Sequence, residues 1–510
     1  MATTSLITRP EARVPGTLKK PKSRRLASKV LAAPLERSNG KRIASNFALL
    51  SAAELICRTT SVVVTLSLAK RLGVVGYGRI EFAFNVVFWL VLLVRDSTDV
   101  IVARELSRHP RLIRPLVNQV IAFKALIAIV LYLGLALVSL LTFQDHSDRI
   151  ILGLYGLMLF TTAIGLDFVY RGTERMGLVA ASLCVRTLIY ACGVLMWVND
   201  ASRIIWVPIW LAVGEATGIA IVWSAYLKKY RLPRPRLRFR FLRIIIQRGR
   251  TICLMQLSQV IINSADLMII GLMSPWSEVG RYGAPHRMVT ALLTFGLIFQ
   301  QASFPMLARL WRQTAVAGQE ALDSLIEVLV TALVPLAVGG TVLAEPLMSL
   351  FLPSEYAGVG FLLALSIWRV PLLILAYLYQ TTLIALNRET VGVRSLVSAA
   401  VLICPLIVVL RLAFGMPGAI LGVLLIGLGL VLTGYSCLAR EGRQPAWHHH
   451  LARPVIASLG MIPVCLILLK WHVLLAVVGG GLAYCAILLG IGGMRGTRLW
   501  KGLFRLVPNS

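Results

Sequence analysis

"LSLAKRLGVVGYGRIEFAF", residues 66–84, joins two apolar runs through a pair of basic residues and a glycine-rich turn. A second stretch, "MIIGLMSPWSEVGRYGAPH" at residues 268–286, has the same outline: an apolar run, a short hydrophilic break, then Gly-Arg with small and aromatic residues. Gly78-Arg79 in the first stretch matches Gly280-Arg281 in the second. The chain therefore contains the same helix–loop–helix unit twice, which predicts an internally repeated architecture.

Composition indicates a helical membrane protein. The chain has 510 residues, of which 57% are hydrophobic and only 15% are charged, whereas about a quarter of the residues of a soluble domain are charged. Its apolar runs are unbroken and about 18 to 25 residues long, the length that a helix needs to cross about 30 Å of hydrocarbon. A transmembrane β-barrel would show weak alternation instead. We predict an all-α, polytopic membrane protein.

Hydropathy predicts about fourteen transmembrane helices. They are placed at residues 44–69, 79–103, 117–142, 150–170, 177–198, 204–227, 243–272, 279–307, 322–345, 357–386, 392–412, 415–437, 451–470 and 471–493. The tight connection through Lys470 leaves a twelve-helix alternative open.

These spans divide into two parallel repeats of six helices, because each half has an even number of spans and begins on the same side. Such bundles, facing each other across a central cavity, are the architecture of an alternating-access transporter. The predicted units are a basic, disordered tail (1–43), two lobes (44–227 and 244–437), a basic linker (228–243), and helices 13 and 14 with a C-terminal tail (438–510).

Lysine and arginine concentrate in alternate connections, which the positive-inside rule assigns to the cytoplasm. Both termini are therefore predicted to be cytoplasmic, and the protein is expected in the cell (inner) membrane. A net charge of +30 is also typical of nucleic-acid binding. Here the basic residues lie between spans and in a tail, where attraction to anionic lipids explains them. Membrane lipids are expected partners, and nucleic acid is not.

Charged residues inside the predicted spans are the candidate site, because a charge at membrane depth costs free energy unless it is paired or hydrated. Glu54 and Arg58 are spaced to pair on one helix face, as are Arg95 and Asp99. Purely structural pairs are the alternative, and Lys124 could instead extend to the interface. The full set assigned to a substrate cavity is Glu54, Arg58, Arg95, Asp96, Asp99, Lys124, Asp266, His286, Arg287 and Arg369.

The chain resembles the polysaccharide exporters and Wzx-type O-antigen flippases of the multidrug/oligosaccharidyl-lipid/polysaccharide superfamily. The resemblance rests on a helix 1 that ends in "LAKRLG", the "GYG" after it, and a helix 2 that ends in "ARE". In the second half it rests on Asp266, the apolar run after it, and Val279-Gly280 with Tyr282. It implies a MATE-like 6+6 fold that moves an undecaprenyl-diphosphate-linked oligosaccharide between leaflets for O-antigen or exopolysaccharide synthesis. Polysaccharide assembly proteins are further candidate partners.

With such a cargo, Arg58 and Arg369 are the best candidates to hold the diphosphate, since a guanidinium binds phosphate oxygens bidentately and stays protonated. The sequence has no P-loop motif, so nucleotide hydrolysis by that route is excluded. No cofactor or metal is expected, and a coupling H⁺ or Na⁺ is left open.

Three other functions stay open. A drug or metabolite antiporter coupled to ions would need a carboxylate site, for which Asp96, Asp99 or Asp266 would serve. A lipid II flippase would carry a similar diphosphate. A membrane glycosyltransferase, polymerase or ligase is disfavoured, because such enzymes need a sizeable outer loop and every predicted outer loop is short.

The predicted orientation can be tested by cysteine labelling of intact cells. Ser202→Cys lies in a predicted outer loop and should react with a membrane-impermeant maleimide. Gln313→Cys lies in a predicted cytoplasmic loop and should react only after the membrane is permeabilised. The reverse pattern would contradict the assignment of both termini to the cytoplasm.

Overall fold

A computed structural model of the protein describes residues 37–95, 98–234, 239–443 and 447–491. These residues form fifteen α-helices and three short 3-10 turns, and they contain no β-strand. In chain order the helices are α1 (Arg37–Arg95), α2 (Asp99–Arg108), α3 (Ile113–Thr142), α4 (His146–Ile164), α5 (Asp167–Gly172), α6 (Met176–Trp197), α7 (Trp206–Leu227), α8 (Phe239–Met273), α9 (Trp276–Gln313), α10 (Ala315–Phe351), α11 (Val359–Ser366), α12 (Arg369–Ala385), α13 (Glu389–Arg440), α14 (Trp447–Leu469) and α15 (Val473–Gly490). The predicted all-α class is confirmed.

Eleven helical segments of the described chain are long and apolar enough to cross a membrane, so this is a multi-pass membrane protein. Two helices are too long for one crossing: α1 has 59 residues and α13 has 52. Each is broken by a glycine with positive φ, Gly73 at 68° and Gly415 at 66°, a conformation that residues with a Cβ rarely adopt. The total of fourteen spans stays a prediction.

The break at Gly73 makes α1 a hairpin. A straight helix would hold Arg58 and Arg95 about 55 Å apart, yet their charges interact in the structure. The two segments of α1 therefore lie side by side. This hairpin is the stretch that opened the sequence analysis, and its turn consists of little more than one residue outside the helical conformation.

The helices pack as two groups with an appendage. In the first group α1 packs on α4 and α6, α3 on α4, and α6 on α7. In the second, α8 and α12 pack on α13, and α9 packs on α10 and α12. Helices α14 and α15 pack on each other and on α10, where the Tyr484 hydroxyl donates to the Thr331 carbonyl (2.7 Å). The last two helices thus lie against the second group.

The two ends of the bundle differ in their connections. We call one end the short-loop face; it carries Gly73 and residues 143–145, 198–205, 274–275 and 352–358. We call the other end the basic face; it carries α2 and residues 173–175, 228–234 and 386–388.

One predicted span has the wrong limits. The span at 79–103 ends early, because α1 stops at Arg95 and the separate helix α2 begins at Asp99. Helix α2 buries Val102 and Leu106 and leaves its remaining residues partly or fully exposed, so it lies as an amphipathic helix at the basic face. The span at 357–386 agrees with the membrane-spanning segment Val359–Ala385, which consists of α11 and α12 joined by a short turn.

The two glycines of the repeated motif meet where α1 crosses α9. A Cβ atom added to Gly78 would overlap the carbonyl oxygen of Trp276, and it would lie 2.8 Å from the backbone nitrogen of Gly280. A Cβ on Gly280 would fall on the carbonyl oxygen of Val74. Only glycine permits this approach of two backbones, which is how small residues act at helix contacts in membranes. The repeated motif is thus a contact between the two halves of the chain.

Further contacts close the halves together at the short-loop face. The Glu355 carboxylate accepts from the Val74 N–H (3.3 Å), at the start of the second segment of α1. Next to it, the buried Tyr356 hydroxyl donates to the Ala69 carbonyl (3.5 Å). A carboxylate at a helix N-terminus is favourable because it meets unpaired N–H groups and the positive end of the helix dipole.

A second structural feature occurs in both halves of the chain: the same turn joins α5 to α6 and α12 to α13. Glu174 and Asn387 have positive φ, 57° and 59°. Each is followed by an arginine whose N–H bonds five residues back: Arg175 to Tyr170 (2.9 Å) and Arg388 to Leu383 (2.8 Å). This is the Schellman turn that ends many helices. The weak likeness of "RGTERMG" and "ALNRETVG" in sequence thus corresponds to one shared turn.

The glycine crossing predicts a specific loss of stability. Gly78→Ala or Gly280→Ala should each cost about 1–3 kcal/mol, because the methyl group overpacks two backbones. Helical glycines with nothing within 4 Å, Gly134 and Gly429, are matched controls, where alanine should gain up to about 1 kcal/mol as a better helix former. Thermal melting of the detergent-solubilised variants measures the difference. A Gly280→Ala protein that melts with the controls would contradict the crossing.

Candidate functional site

The first segment of α1 turns two charges toward the interior of the bundle. Ile56 and Val63 are 53% exposed on one side of the helix. At 100° per residue, Glu54 and Arg58 lie on the opposite side, while Cys57 between these faces is buried and donates its S–H to the Leu183 carbonyl of α6. Arg58 is nevertheless exposed. It therefore reaches an open space between the two lobes, which we call the interlobe cleft.

Electrostatic interactions join Arg58 to three charged groups of this cleft. They are Glu54, one turn earlier on the same helix, Arg95 on the second segment of α1, and Arg287 on α9. The predicted Glu54–Arg58 neighbourhood on one helix face is therefore present. The second lobe contributes Arg287, which brings three guanidinium groups from α1 and α9 into one region.

Arg287 also forms an ion pair between the lobes. Its Nη2 lies 3.0 Å from Oε2 of Glu81, which is only 3% exposed. The Tyr77 hydroxyl donates to the same oxygen (3.2 Å), and the guanidinium lies over the Phe84 ring at 4.6 Å. The Arg287 side chain remains 25% exposed. It is thus anchored on one side and open to the cleft on the other.

Glu81 is a site residue that the sequence analysis missed. It follows Arg79 near a predicted span end, so it was not counted among the buried charges. The signal was the repeat itself: Glu81 stands three residues after Gly78, and Gly283 stands three after Gly280. A Cβ on Gly283 would lie 2.9 Å from Cγ of Glu81, so the small residue of one repeat makes room for the acid of the other.

A second cluster lies inside the second lobe, centred on Asp266. This carboxylate is 0% exposed and its Oδ2 lies 2.7 Å from Nη1 of Arg369. The same oxygen accepts from the Tyr282 hydroxyl, and Nδ1 of His286 lies 3.4 Å away. Three helices, α8, α9 and α12, thus place one acid against two basic groups and a phenol.

The second terminal nitrogen of Arg369 points into α8. Its Nη2 donates to the carbonyls of Ile262 (3.2 Å) and Asn263, and the Tyr377 hydroxyl donates to the Asn263 side chain (3.0 Å). Arg369 is 3% exposed. In this conformation its guanidinium is enclosed by the second lobe, so the structure gives a phosphate no access to it, although the sequence made it a candidate.

A third cluster lies inside the first lobe and corrects one predicted pair. Arg95 and Asp99 were expected one turn apart on a continuous helix, but Thr98 between them is not helical; their charges still interact across the break. Asp99 instead pairs with Lys124 of α3, which is 1% exposed and lies 5.1 Å from the centre of the Phe168 ring. The alternative in which Lys124 extends to the interface is therefore wrong.

The same lobe holds an arginine between two acids. Arg186 of α6 lies 3.2 Å from Asp167 and 3.1 Å from Glu215. Its electrostatic neighbourhood continues to the previous pair, since the charges of Asp167 and Asp99 interact. Asp167 is 29% exposed and is held in this pair with Arg186.

The predicted cavity residues thus fall into three groups. Glu54, Arg58, Arg95 and Arg287 share the cleft; Asp99 and Lys124 lie within the first lobe; Asp266, His286 and Arg369 lie within the second. Asp96 lies outside the described residues. Whether these residues bind substrate stays a prediction.

Comparison with known proteins identifies the family of this chain. A family described as "polysaccharide biosynthesis protein" matches residues 43–311. The chain belongs to this family. The resemblance to the polysaccharide exporters noted from the sequence is thereby confirmed. A comparison with curated protein sequences finds no match.

Solved structures of flippases and transporters share the architecture. The lipid II flippase MurJ, in an inward closed conformation, superposes with a TM-score of 0.67 at 14% identity, over 86% of this chain and 98% of that one. An inward-facing MATE-family multidrug transporter of the MOP superfamily gives 0.60 at 10% identity, over 78% and 100%. The MATE multidrug transporter DinF-BH gives 0.59 at 13%, over 81% and 96%. At such low identity the likeness concerns the fold.

The enclosed cluster at Asp266 predicts a large effect of breaking one buried pair. Asp266→Asn leaves the Arg369 charge without its partner and should cost about 3–5 kcal/mol. Removing both charges in Asp266→Asn/Arg369→Gln should recover at least half of that loss in a thermal melt. Asp145→Asn is the control, since that acid is 46% exposed in its pair with Arg79 and should cost at most about 1 kcal/mol. An Asp266→Asn loss no larger than the control's would contradict the assignment.

Proposed function

We propose that this protein is an alternating-access flippase that moves an undecaprenyl-diphosphate-linked oligosaccharide across the cell membrane during polysaccharide biosynthesis. The observation that carries the proposal is the cleft in which Arg58 interacts electrostatically with two further guanidinium groups, those of Arg95 and Arg287. Glu54 interacts with Arg58, and Glu81 pairs with Arg287. A cluster of guanidinium groups at membrane depth is costly, and an anionic cargo would lower that cost.

The packing of the two lobes supports a substrate site that is closed at the short-loop face and open toward the basic face. The lobes meet at Gly78 and Gly280 and at Glu355 on the short-loop face. The Arg58 side chain lies further along the same hairpin toward the basic face and is exposed. If the basic face is cytoplasmic, as the positive-inside rule indicates, the cleft receives its cargo from the inner leaflet. Membership of the polysaccharide biosynthesis family favours a lipid-linked oligosaccharide as that cargo.

The other candidate functions have less support. An antiporter driven by H⁺ or Na⁺ needs a carboxylate site; of the candidate acids in the described part of the chain, Asp99 is held by Lys124 and Asp266 by Arg369. Lipid II carries the same diphosphate chemistry, and the MurJ fold makes it the second candidate. An enzyme acting on the same carriers has no support from these neighbours, which are flippases and transporters.

The role of Arg58 in binding phosphate is the decisive test. Arg58→Ala should abolish polysaccharide export in cells that lack any other flippase for that polysaccharide, while the protein reaches the membrane at its normal level. Arg58→Lys keeps the charge but loses the planar fork, so partial export should remain. Arg281→Ala removes an exposed arginine of α9 and should leave export unchanged.

A second variant separates transport from folding. Removing Arg58 deprives Glu54 of its nearest positive charge and could lower the amount of protein on that account. The pair Glu54→Gln/Arg58→Ala should restore abundance without restoring export, and the lipid-linked oligosaccharide should accumulate inside. Normal export from an abundant Arg58→Ala protein would refute the proposed site, and accumulation of lipid II instead would favour the second candidate.

A further inference from the structure

A cavity of about 390 Å³ opens at the basic face of the first lobe, apart from the interlobe cleft. Its walls come from the ends of α2, α5 and α7 and from the turn before α6, and they include Ser107, Tyr170, Arg175, Lys229 and Tyr230. A second hollow adjoins it on the same connection between α2 and α3, lined by Arg108, His109, Arg111 and Leu112. We call these two hollows together the first-lobe pocket.

The cations of this pocket lack acidic partners. Within the described part of the chain, no carboxylate oxygen lies within 4 Å of the charged groups of Arg108, Arg111, Arg175 or Lys229. Lys124 and Arg186 in the interior of this lobe, by contrast, are paired with Asp or Glu. One acid, Glu174, does lie in the wall. The pocket therefore has a net positive charge and room for an anion.

Local structure holds these cations in place. Arg175 is fixed by the Schellman turn, through its N–H bond to the Tyr170 carbonyl. The Lys229 ammonium lies over the Tyr230 ring, 5.6 Å from its centre, and that ring packs on the Tyr226 ring with 5.0 Å between centres. The buried Tyr170 hydroxyl donates to the Val222 carbonyl (3.1 Å). The pocket is thus built on packed aromatic residues.

Exposed leucines stand beside the cations. Leu112 is 41% exposed, Leu227 is 46% exposed and Leu232 is 68% exposed. These residues adjoin the pocket in sequence, at the ends of membrane-spanning helices. A soluble phosphate would neutralise the cations and leave the leucines in water. A phospholipid would supply both a phosphate at headgroup level and acyl chains to cover the apolar residues.

We propose that the first-lobe pocket binds the phosphate group of an anionic phospholipid of the surrounding membrane, with the acyl chains against Leu112, Leu227 and Leu232. Arg175 and Lys229 bind the phosphate from the first hollow, and Arg108 and Arg111 extend the site in the second. The bound lipid ties α2 and the turn before α6 to the end of α7.

Lipid titration of the purified full-length protein tests the site. In neutral detergent, phosphatidylglycerol should raise the melting temperature and phosphatidylcholine should not. Arg175→Gln/Lys229→Gln should raise the phosphatidylglycerol concentration needed for half of the effect by about tenfold or more, since each basic residue near a lipid headgroup contributes appreciably. Arg309→Gln/Arg312→Gln removes two exposed arginines at the end of α9 and should leave that concentration unchanged.

Two results would overturn the proposal. If inorganic phosphate alone raises the melting temperature at the same concentrations, the pocket is a site for soluble anions. If both double variants respond to phosphatidylglycerol alike, the effect is a general one of charge at the basic face.

A second readout avoids dependence on the stability of the double variant. A fluorophore on Ser107→Cys should be quenched more strongly by phosphatidylglycerol with brominated acyl chains than by brominated phosphatidylcholine. Equal quenching by the two lipids would also count against the site.

Discussion

The close approach of α1 and α9 at Gly78 and Gly280 fixes the relation between the two lobes. Two backbones can come this near only where neither carries a side chain. Once they do, residues one and two turns further along each helix face each other, and Glu81 meets Arg287 across the interface. The same contact holds the short-loop face shut, where Glu355 reaches Val74. The opening at the other end, with Arg58 in it, follows from closure at this one.

The contact also shows where the two repeats must differ. Equal repeats would bring identical side chains together at the crossing, acid against acid. Here Glu81 faces Gly283, and Arg287 occupies the position that Asn85 has in the first repeat. The glycine gives the acid its space, and the arginine gives it a partner. Duplication accounts for the shared backbone, and the departures from it create a charged, asymmetric cleft.

Much of the fold could be predicted from the sequence, because apolar runs and the repeated Gly-Arg motif are local signals. The candidate site was harder to predict from the sequence. The prediction that Arg95 pairs with Asp99 assumed one continuous helix, and helical spacing carries no information about a break after Arg95. Lys124 pairs with Asp99 of another helix, and helical periodicity within one segment cannot predict a contact between two helices. Glu81 looked like a span-end residue, and its burial arises only because the second lobe packs over it.

The single-residue turn at Gly73 has a consequence for how the protein is made. Two apolar segments joined by so short a turn can enter the bilayer together as one hairpin, since only Lys70 and Arg71 beside the turn have to be translocated. The partner of the Val74 N–H, Glu355, is synthesised much later than the turn it caps. Until that part of the chain emerges from the ribosome, the tip of the hairpin lacks its cap. The first half of the protein therefore lacks this hydrogen bond until the second half has been translated.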